Sequence, residues 1–144
     1  MQEQPKANQS SPQAPAAARI LIVDDDTDIL DVFPHLFRPG QYSIAVASRG
    51  SLALELAAHR TFDLAFVDYF MDDMNGVVVS QRLRHVQPHI QIVLMSGYSF
   101  DDKSEIMASS GARAFLHKPL NADYIQALTD SLLAGKGPDA VAPH

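Results

Sequence analysis

Residues 19–30 read RILIVDDDTDIL, a run dominated by large aliphatic side chains that breaks abruptly into acids. A strand that is apolar at successive positions, with no alternation, suits burial on both faces, as in a parallel sheet with helices packed above and below. Working outward, the same kind of short run recurs at SIAVA (43–47), DLAFV (63–67), QIVLM (91–95) and RAFL (113–116). Between these runs lie helical patterns near 28–37, 51–59, 77–86, 102–110 and 121–133. Thr27 and Ser51 are the expected N-caps of the first two helices, and Gly111 the expected stop of the fourth. Pro34 should kink or shorten the first helix, where Phe33, Leu36 and Phe37 form a stripe suited to the core. Strict strand–helix alternation implies an α/β fold: a doubly wound five-stranded parallel sheet with five helices in a three-layer sandwich.

Composition agrees with a single small domain. The chain has 144 residues, 47% of them hydrophobic and 19% charged, with a net charge of −6. Residues 1–18 (MQEQPKANQSSPQAPAAA) and 135–144 (GKGPDAVAPH) lack periodicity and large aliphatic side chains, and are expected to be flexible tails around a folded unit at 19–134. Each tail carries one base and one acid, so the negative charge belongs to the core. There is no basic stripe of the kind nucleic-acid binders show, and no apolar run long enough to span a membrane. The N-terminus does not read as a secretory signal. With no cysteine, disulfides, thiolate metal sites and cysteine nucleophiles are excluded. A cytoplasmic location is the expectation that these features suit.

In doubly wound sheets ligands bind beyond the carboxyl ends of the strands, where the strand order reverses. Asp24, Asp25 and Asp26, with Asp28 close behind, follow the first run; Asp68 follows the third, Ser96 the fourth, and Lys118 and Pro119 the fifth. Bringing Asp24, Asp25 and Asp68 together costs about 4 kcal/mol per close pair at an effective dielectric near 20. A divalent cation reverses that sign. An all-oxygen donor set favours Mg²⁺, with Mn²⁺ as the alternative, over zinc or copper. Mg²⁺ takes few carboxylates and favours a phosphate oxygen as a further ligand, while Lys118 and the Ser96 hydroxyl suit the same anion.

This set of residues resembles the receiver domain of bacterial two-component response regulators. The motifs are ILIVDDD (20–26), FDLAFVDYFMDDMNG (62–76), IVLMSGY (92–98) and FLHKPL (115–120), and the resemblance covers about 19–133. It implies a flavodoxin-like sandwich with strand order 2-1-3-4-5. Asp68 would be the phosphoacceptor. Asp25, Asp68 and the backbone carbonyl of Phe70 would hold Mg²⁺, and Asp24 would act through a metal-bound water. Lys118, preceding a cis Pro119, would contact the phosphoryl group. Ser96 would be the switch hydroxyl and Phe115 the aromatic that follows it. The implied function is transfer of a phosphoryl group from a phosphohistidine on a sensor histidine kinase or phosphotransfer protein to Asp68. Signalling would then pass to a downstream protein target through the face of the fourth helix, fifth strand and fifth helix, which includes Lys103, Ile106, Arg113 and Phe115. The chain would act as a monomer or a phosphorylation-dependent homodimer, without binding nucleic acid or membrane. It would not be an enzyme beyond its own phosphorylation and slow dephosphorylation.

Two features depart from the family pattern. Asp72 stands where proline is common, followed by Asp73, which places extra negative charge near the expected pocket. Phe70 and Tyr98 are bulky where the family tunes the attacking water, which implies slow autodephosphorylation. The alternative function is a receiver-like interaction module that does not use phosphorylation. A haloacid-dehalogenase-like phosphatase is disfavoured, because in the DxDx[TV] pattern begun by Asp24 and Asp26 the residue Thr27 falls one position early. A flavodoxin-like cofactor binder is disfavoured because DDDTD repels phosphate unless a cation intervenes. The six histidines (35, 59, 85, 89, 117 and 144) are scattered, and strand alternation turns His117 away from Lys118. Arg82 and Arg84 read as a solvated helix face. The sequence fits a stand-alone regulator or a receiver cut from a longer chain, with no room after residue 134 for an output domain.

Overall fold

The computed structural model describes residues 17–138, so most of the two expected tails lies outside the described residues. Five strands, β1 (Arg19–Val23), β2 (Ser43–Ala47), β3 (Leu64–Asp68), β4 (Gln91–Ser96) and β5 (Ala114–His117), form one parallel sheet in the order β2-β1-β3-β4-β5. The helices are α1 (Thr27–Val32), α2 (Gly50–His59), α3 (Gly76–Val86), α4 (Ser104–Ser110) and α5 (Ala122–Leu133). The chain leaves β1 towards β2 on one side and returns to β3 on the other. The reversal therefore lies between the carboxyl ends of β1 and β3, which is where such sheets present a crevice.

Alternation along each strand sorts the core into two layers. Ile20, Ile22, Leu64, Phe66, Val93 and Met95 face Phe33, Ile125, Leu128 and Leu132, from α5 and the turn after α1. Leu21, Val23, Ala65, Val67, Ile92 and Leu94 face Ala53, Ala57, Val79 and Leu83 of α2 and α3. The expected stripe is confirmed: Phe33 and Phe37 are buried, and Leu36 packs against the same layer. Double-sided burial holds for β1, β3 and β4. It fails for β2, whose SIAVA run is mostly half-exposed because this strand is the sheet edge.

Pro34 shortens the first helix as expected, whereas both expected N-caps are displaced. The first helix stops at Val32 and gives way to a 3-10 turn, Phe33–Leu36, because Pro34 has no N–H for the α ladder. Its N-cap is Asp26, whose carboxylate accepts from the Asp28 N–H, and Thr27 is already helical. Ser51 lies inside α2, which begins at Gly50 and has no side-chain cap from Arg49 at the preceding position. The fourth helix does end at Gly111, in the left-handed region at φ 73°. After α5 the chain folds back, with the Lys136 N–H on the Ser131 carbonyl and the Ser131 hydroxyl donating to the Gly137 carbonyl.

Candidate functional site

The sheet register builds the pocket. Val23 pairs with Val67, so the residues that follow each of them, Asp24 and Asp68, stand at the same level on neighbouring strands. Asp24 is fully buried, and its N–H still reaches the Ala47 carbonyl of β2 at 3.1 Å. Asp68 is the last residue of β3 and pairs with Met95. One carboxylate oxygen from each of Asp24, Asp25 and Asp68 lies within 4.8 Å of the others. Lys118, one residue beyond β5, puts its Nζ 2.7 Å from Asp24 Oδ2 and 3.3 Å from Asp68 Oδ1. The Lys118–Pro119 bond is cis, as the resemblance implies.

The two oxygens of Asp24 are both engaged: Oδ2 by Lys118, and Oδ1 by the Asp26 N–H at 2.9 Å. Burial pushes the Asp68 carboxyl up to about 6, the Asp24 charge pushes the same way, and Lys118 opposes both. Asp25 is raised by its own burial, then by the charges of Asp72 and Asp24. Burial works against the Lys118 ammonium, yet its hydrogen bond to Asp24 and the charges of Asp24 and Asp68 outweigh that and raise it. Three carboxylates against one ammonium leave a formal charge of −2 in a site made only of hard oxygen donors. That donor set fits a divalent cation of the Mg²⁺ type.

Ser96 ends β4 and is buried, and its Oγ accepts from the Tyr98 N–H at 2.9 Å. Phe115 is half-buried on β5, edge-on to Phe100 at 5.7 Å between centroids, with the Lys103 Nζ 5.0 Å from its ring centre. The exposed rings of Phe70 and Tyr98 meet edge to face at 4.9 Å and join the loops after β3 and β4. Tyr69 contacts both Phe70 and Phe100, so aromatic contact runs from the pocket mouth to Phe115. Phe100 was not singled out in the sequence, and only its place two residues past Tyr98 hinted at this role. His117 is exposed and pairs with Ser99 Oγ, outside the pocket.

The loop after β3 corrects one expectation. Asp72 does bear electrostatically on Asp25. Asp73, read from sequence as added charge near the pocket, turns to α2, where its two carboxylate oxygens accept from the Gly50 and Ser51 N–H groups, each at 3.0 Å. Those bonds hold its carboxyl below the usual range. The helix start without a local cap thus receives one from another loop. Gly76 closes the same loop: its N–H donates to the Tyr69 carbonyl at 2.8 Å, and a Cβ there would stand 2.5 Å from the Asp68 carbonyl oxygen.

Comparison with known proteins follows the same lines. A family model described as the response regulator receiver domain matches residues 20–130. The chain is 34% identical over 115 residues to the transcriptional regulatory protein ZraR of Klebsiella oxytoca, covering 80% of this chain and 26% of ZraR. It is 32% identical over 111 residues to the alginate biosynthesis transcriptional regulatory protein AlgB of Pseudomonas putida, covering 77% of this chain and 25% of that one. It therefore spans about a quarter of the length of these relatives. Among solved structures, a CheY-like response regulator receiver domain protein from Methanospirillum hungatei superposes with a TM-score of 0.78 at 27% identity, covering 84% of this chain and 97% of that one. The response regulator TrrA of Thermotoga maritima, in complex with Mg²⁺–BeF, gives 0.70 at 25% identity, covering 80% and 98%. No helix among the described residues is long and apolar enough to cross a membrane. With the acids gathered at the strand reversal and most of the folded core matched, the chain belongs to the response regulator receiver domain family, a signalling domain of two-component systems.

Proposed function

We propose that residues 19–134 accept a phosphoryl group on Asp68 from the phosphohistidine of a sensor kinase or phosphotransfer protein, and pass the signal on by protein–protein contact. An Asp68 oxygen attacks phosphorus, the P–N bond breaks, and the imidazole nitrogen leaves with the electron pair. The product is an acyl phosphate on Asp68. With a carboxyl that titrates near 6, Asp68 is ionised and nucleophilic at neutral pH. Lys118, already bridging Asp24 and Asp68, meets the charge on the incoming phosphoryl oxygens. Asp25, Asp68 and the Phe70 carbonyl would hold Mg²⁺, with Asp24 acting through water because its own oxygens are engaged. The bound cation supplies neutralisation of the charge that gathers where phosphate meets carboxylate.

Ser96 serves as the switch hydroxyl: Oγ accepts from Tyr98, and its proton is available to a phosphoryl oxygen. Moving that hydroxyl shifts the aromatic contacts that lead to Phe115 and hence the α4, β5 and α5 face, a local charge change biasing a two-state element. This reading places the chain in the cytoplasm beside its kinase. The observation that carries it is the convergence of three carboxylates within 4.8 Å on one lysine. The test is incubation with acetyl phosphate and Mg²⁺ followed by intact mass. Wild type gains one phosphoryl group and Asp68→Asn gains none. Absence of a gain on wild type favours the interaction module that ignores phosphorylation.

A further inference from the structure

Asp73 does more than complete a helix start. The loop from Tyr69 to Asn75 is pinned at both ends: the Tyr69 N–H donates to the Met95 carbonyl, the Tyr69 carbonyl accepts from Gly76, each at 2.8 Å, and Asn75 Oδ1 accepts from the Val78 N–H at 3.0 Å. Between these pins, Asp73 is tied to α2 by two further bonds of 3.0 Å that span 23 and 22 residues of sequence. Only Phe70, Met71 and Asp72 are left as a short arc between the Tyr69 pin and the Asp73 pin. That arc carries the Phe70 carbonyl, the one backbone ligand of the proposed cation, and it begins two residues after the phosphoacceptor.

We infer that Asp73 is a positioning residue for the phosphoacceptor loop, using the N-terminus of α2 as a fixed anchor that holds the Phe70 carbonyl in place for the cation. Both acceptor oxygens of Asp73 are spent on backbone N–H groups, and its carboxylate is therefore an anchor and no ligand. Anchoring to a helix start is stiff, since Gly50 is itself wedged: a Cβ there would stand 2.6 Å from Met74 Cγ and 2.7 Å from Val79 Cγ2. Loss of a partner that orients a metal ligand typically weakens the metal by about 10- to 100-fold. The inference rests on the receiver reading above, because it presumes that the pocket binds Mg²⁺.

The experiment measures Mg²⁺ affinity by calorimetry on the full chain, in wild type, Asp73→Ala, Asp73→Asn and Asp63→Ala. Asp63 is a control for simple loss of a side-chain bond to backbone, since it accepts from the Arg19 N–H at 2.8 Å beside the opposite ends of β1 and β3. Amide hydrogen exchange at residues 70–72 is followed in parallel. Expected is a loss of roughly tenfold in affinity for Asp73→Ala, a smaller loss for Asp73→Asn, which keeps one acceptor oxygen, and none for Asp63→Ala. Exchange at 70–72 speeds up in Asp73→Ala only. Wild-type binding with an unchanged affinity in Asp73→Ala overturns the inference and leaves the receiver reading standing. A wild type that binds no Mg²⁺ overturns both, and an equal loss in Asp63→Ala reduces Asp73 to a general stabiliser and overturns the positioning role.

Discussion

Replacing Asp68 with asparagine should make the cation-free protein more stable at neutral pH. The Asp68 carboxyl titrates near 6 in the folded protein against 3.8 for the ordinary group. A raised acid is penalised when ionised: the penalty is absent below the unfolded value, grows between about 4 and 6, and is complete above the folded value. Two pKa units correspond to about 3 kcal/mol at pH 7. Asp68 is 6% exposed, so little of this is screened by solvent. Asparagine has nearly the shape of the neutral acid and keeps an oxygen for Lys118. Asp68→Asn should therefore gain about 3 kcal/mol in EDTA at pH 7, which for a chain of this size is a rise in Tm on the order of 10 °C. The difference between the two proteins should shrink towards zero near pH 4. Mg²⁺ should reverse part of it, adding about 1.4 kcal/mol to wild type at ten times its dissociation constant and little to the variant. Calorimetric melts of both proteins across pH 4–7, with EDTA and with Mg²⁺, give every quantity needed. A variant no more stable than wild type at pH 7, or a gap that does not change with pH, refutes the electrostatic account of the pocket.

Other perturbations follow from the same geometry. Lys118→Ala leaves Asp24 buried without its ammonium partner, and it should destabilise by about 3 kcal/mol and slow acetyl phosphate labelling, read by urea unfolding and intact mass. Cutting Phe70 and Tyr98 to alanine removes the edge-to-face pair at the mouth and should shorten the phosphoryl lifetime, followed by loss of the added mass with time; an unchanged lifetime sinks the idea of an aromatic barrier to water. Gly76→Ala forces a methyl against the Asp68 carbonyl and should cost about 1–3 kcal/mol in urea melts. Phe66→Ala, which empties a fully buried site packed on Phe33 at 4.9 Å, should cost about 3–5 kcal/mol without altering labelling of whatever fraction stays folded.

What was legible in the sequence was what burial writes locally. A strand covered on both sides must be apolar throughout, so β1, β3 and β4 announced themselves, and their final residues located Asp24, Asp68 and Ser96 without any knowledge of neighbours. Strand β2 has a similar composition but sits at the edge, and no property of SIAVA distinguishes an edge strand from a central one. Asp73 was misread for a related reason. Its partners, Gly50 and Ser51, precede it by more than twenty residues, and a carboxylate five residues past a strand-end acid looks like part of the same pocket until the loop's path is known. Ser51 was the expected cap of α2, which hid the fact that a helix preceded by Arg49 has no capping side chain of its own and needs an acceptor from elsewhere. The aromatic line from Phe70 to Phe115 was visible only as two bulky residues, because Phe100 joins it through tertiary contact.

The acids of the pocket are not equivalent, and the hydrogen bonds say why. Asp24 has given one oxygen to Lys118 and the other to its own loop, so it works as the fixed counter-charge that aims the lysine. Among the described residues, Asp68 is held by the longer contact with that lysine alone, and Asp25 is half-buried. These are the two whose carboxyls are pushed up, first by burial and then by the charges of neighbouring acids. Strain is therefore concentrated on the residues that are expected to meet a cation and a phosphoryl group, while the rest of the sheet edge is satisfied internally. A cation relieves that repulsion, whereas a phosphoryl group adds negative charge of its own, so phosphorylation depends on the neutralisation that the cation and Lys118 supply. A domain built this way couples ligand arrival to the stability of its own loops, and the loops after β3 and β4 carry the aromatic contacts that reach Phe115.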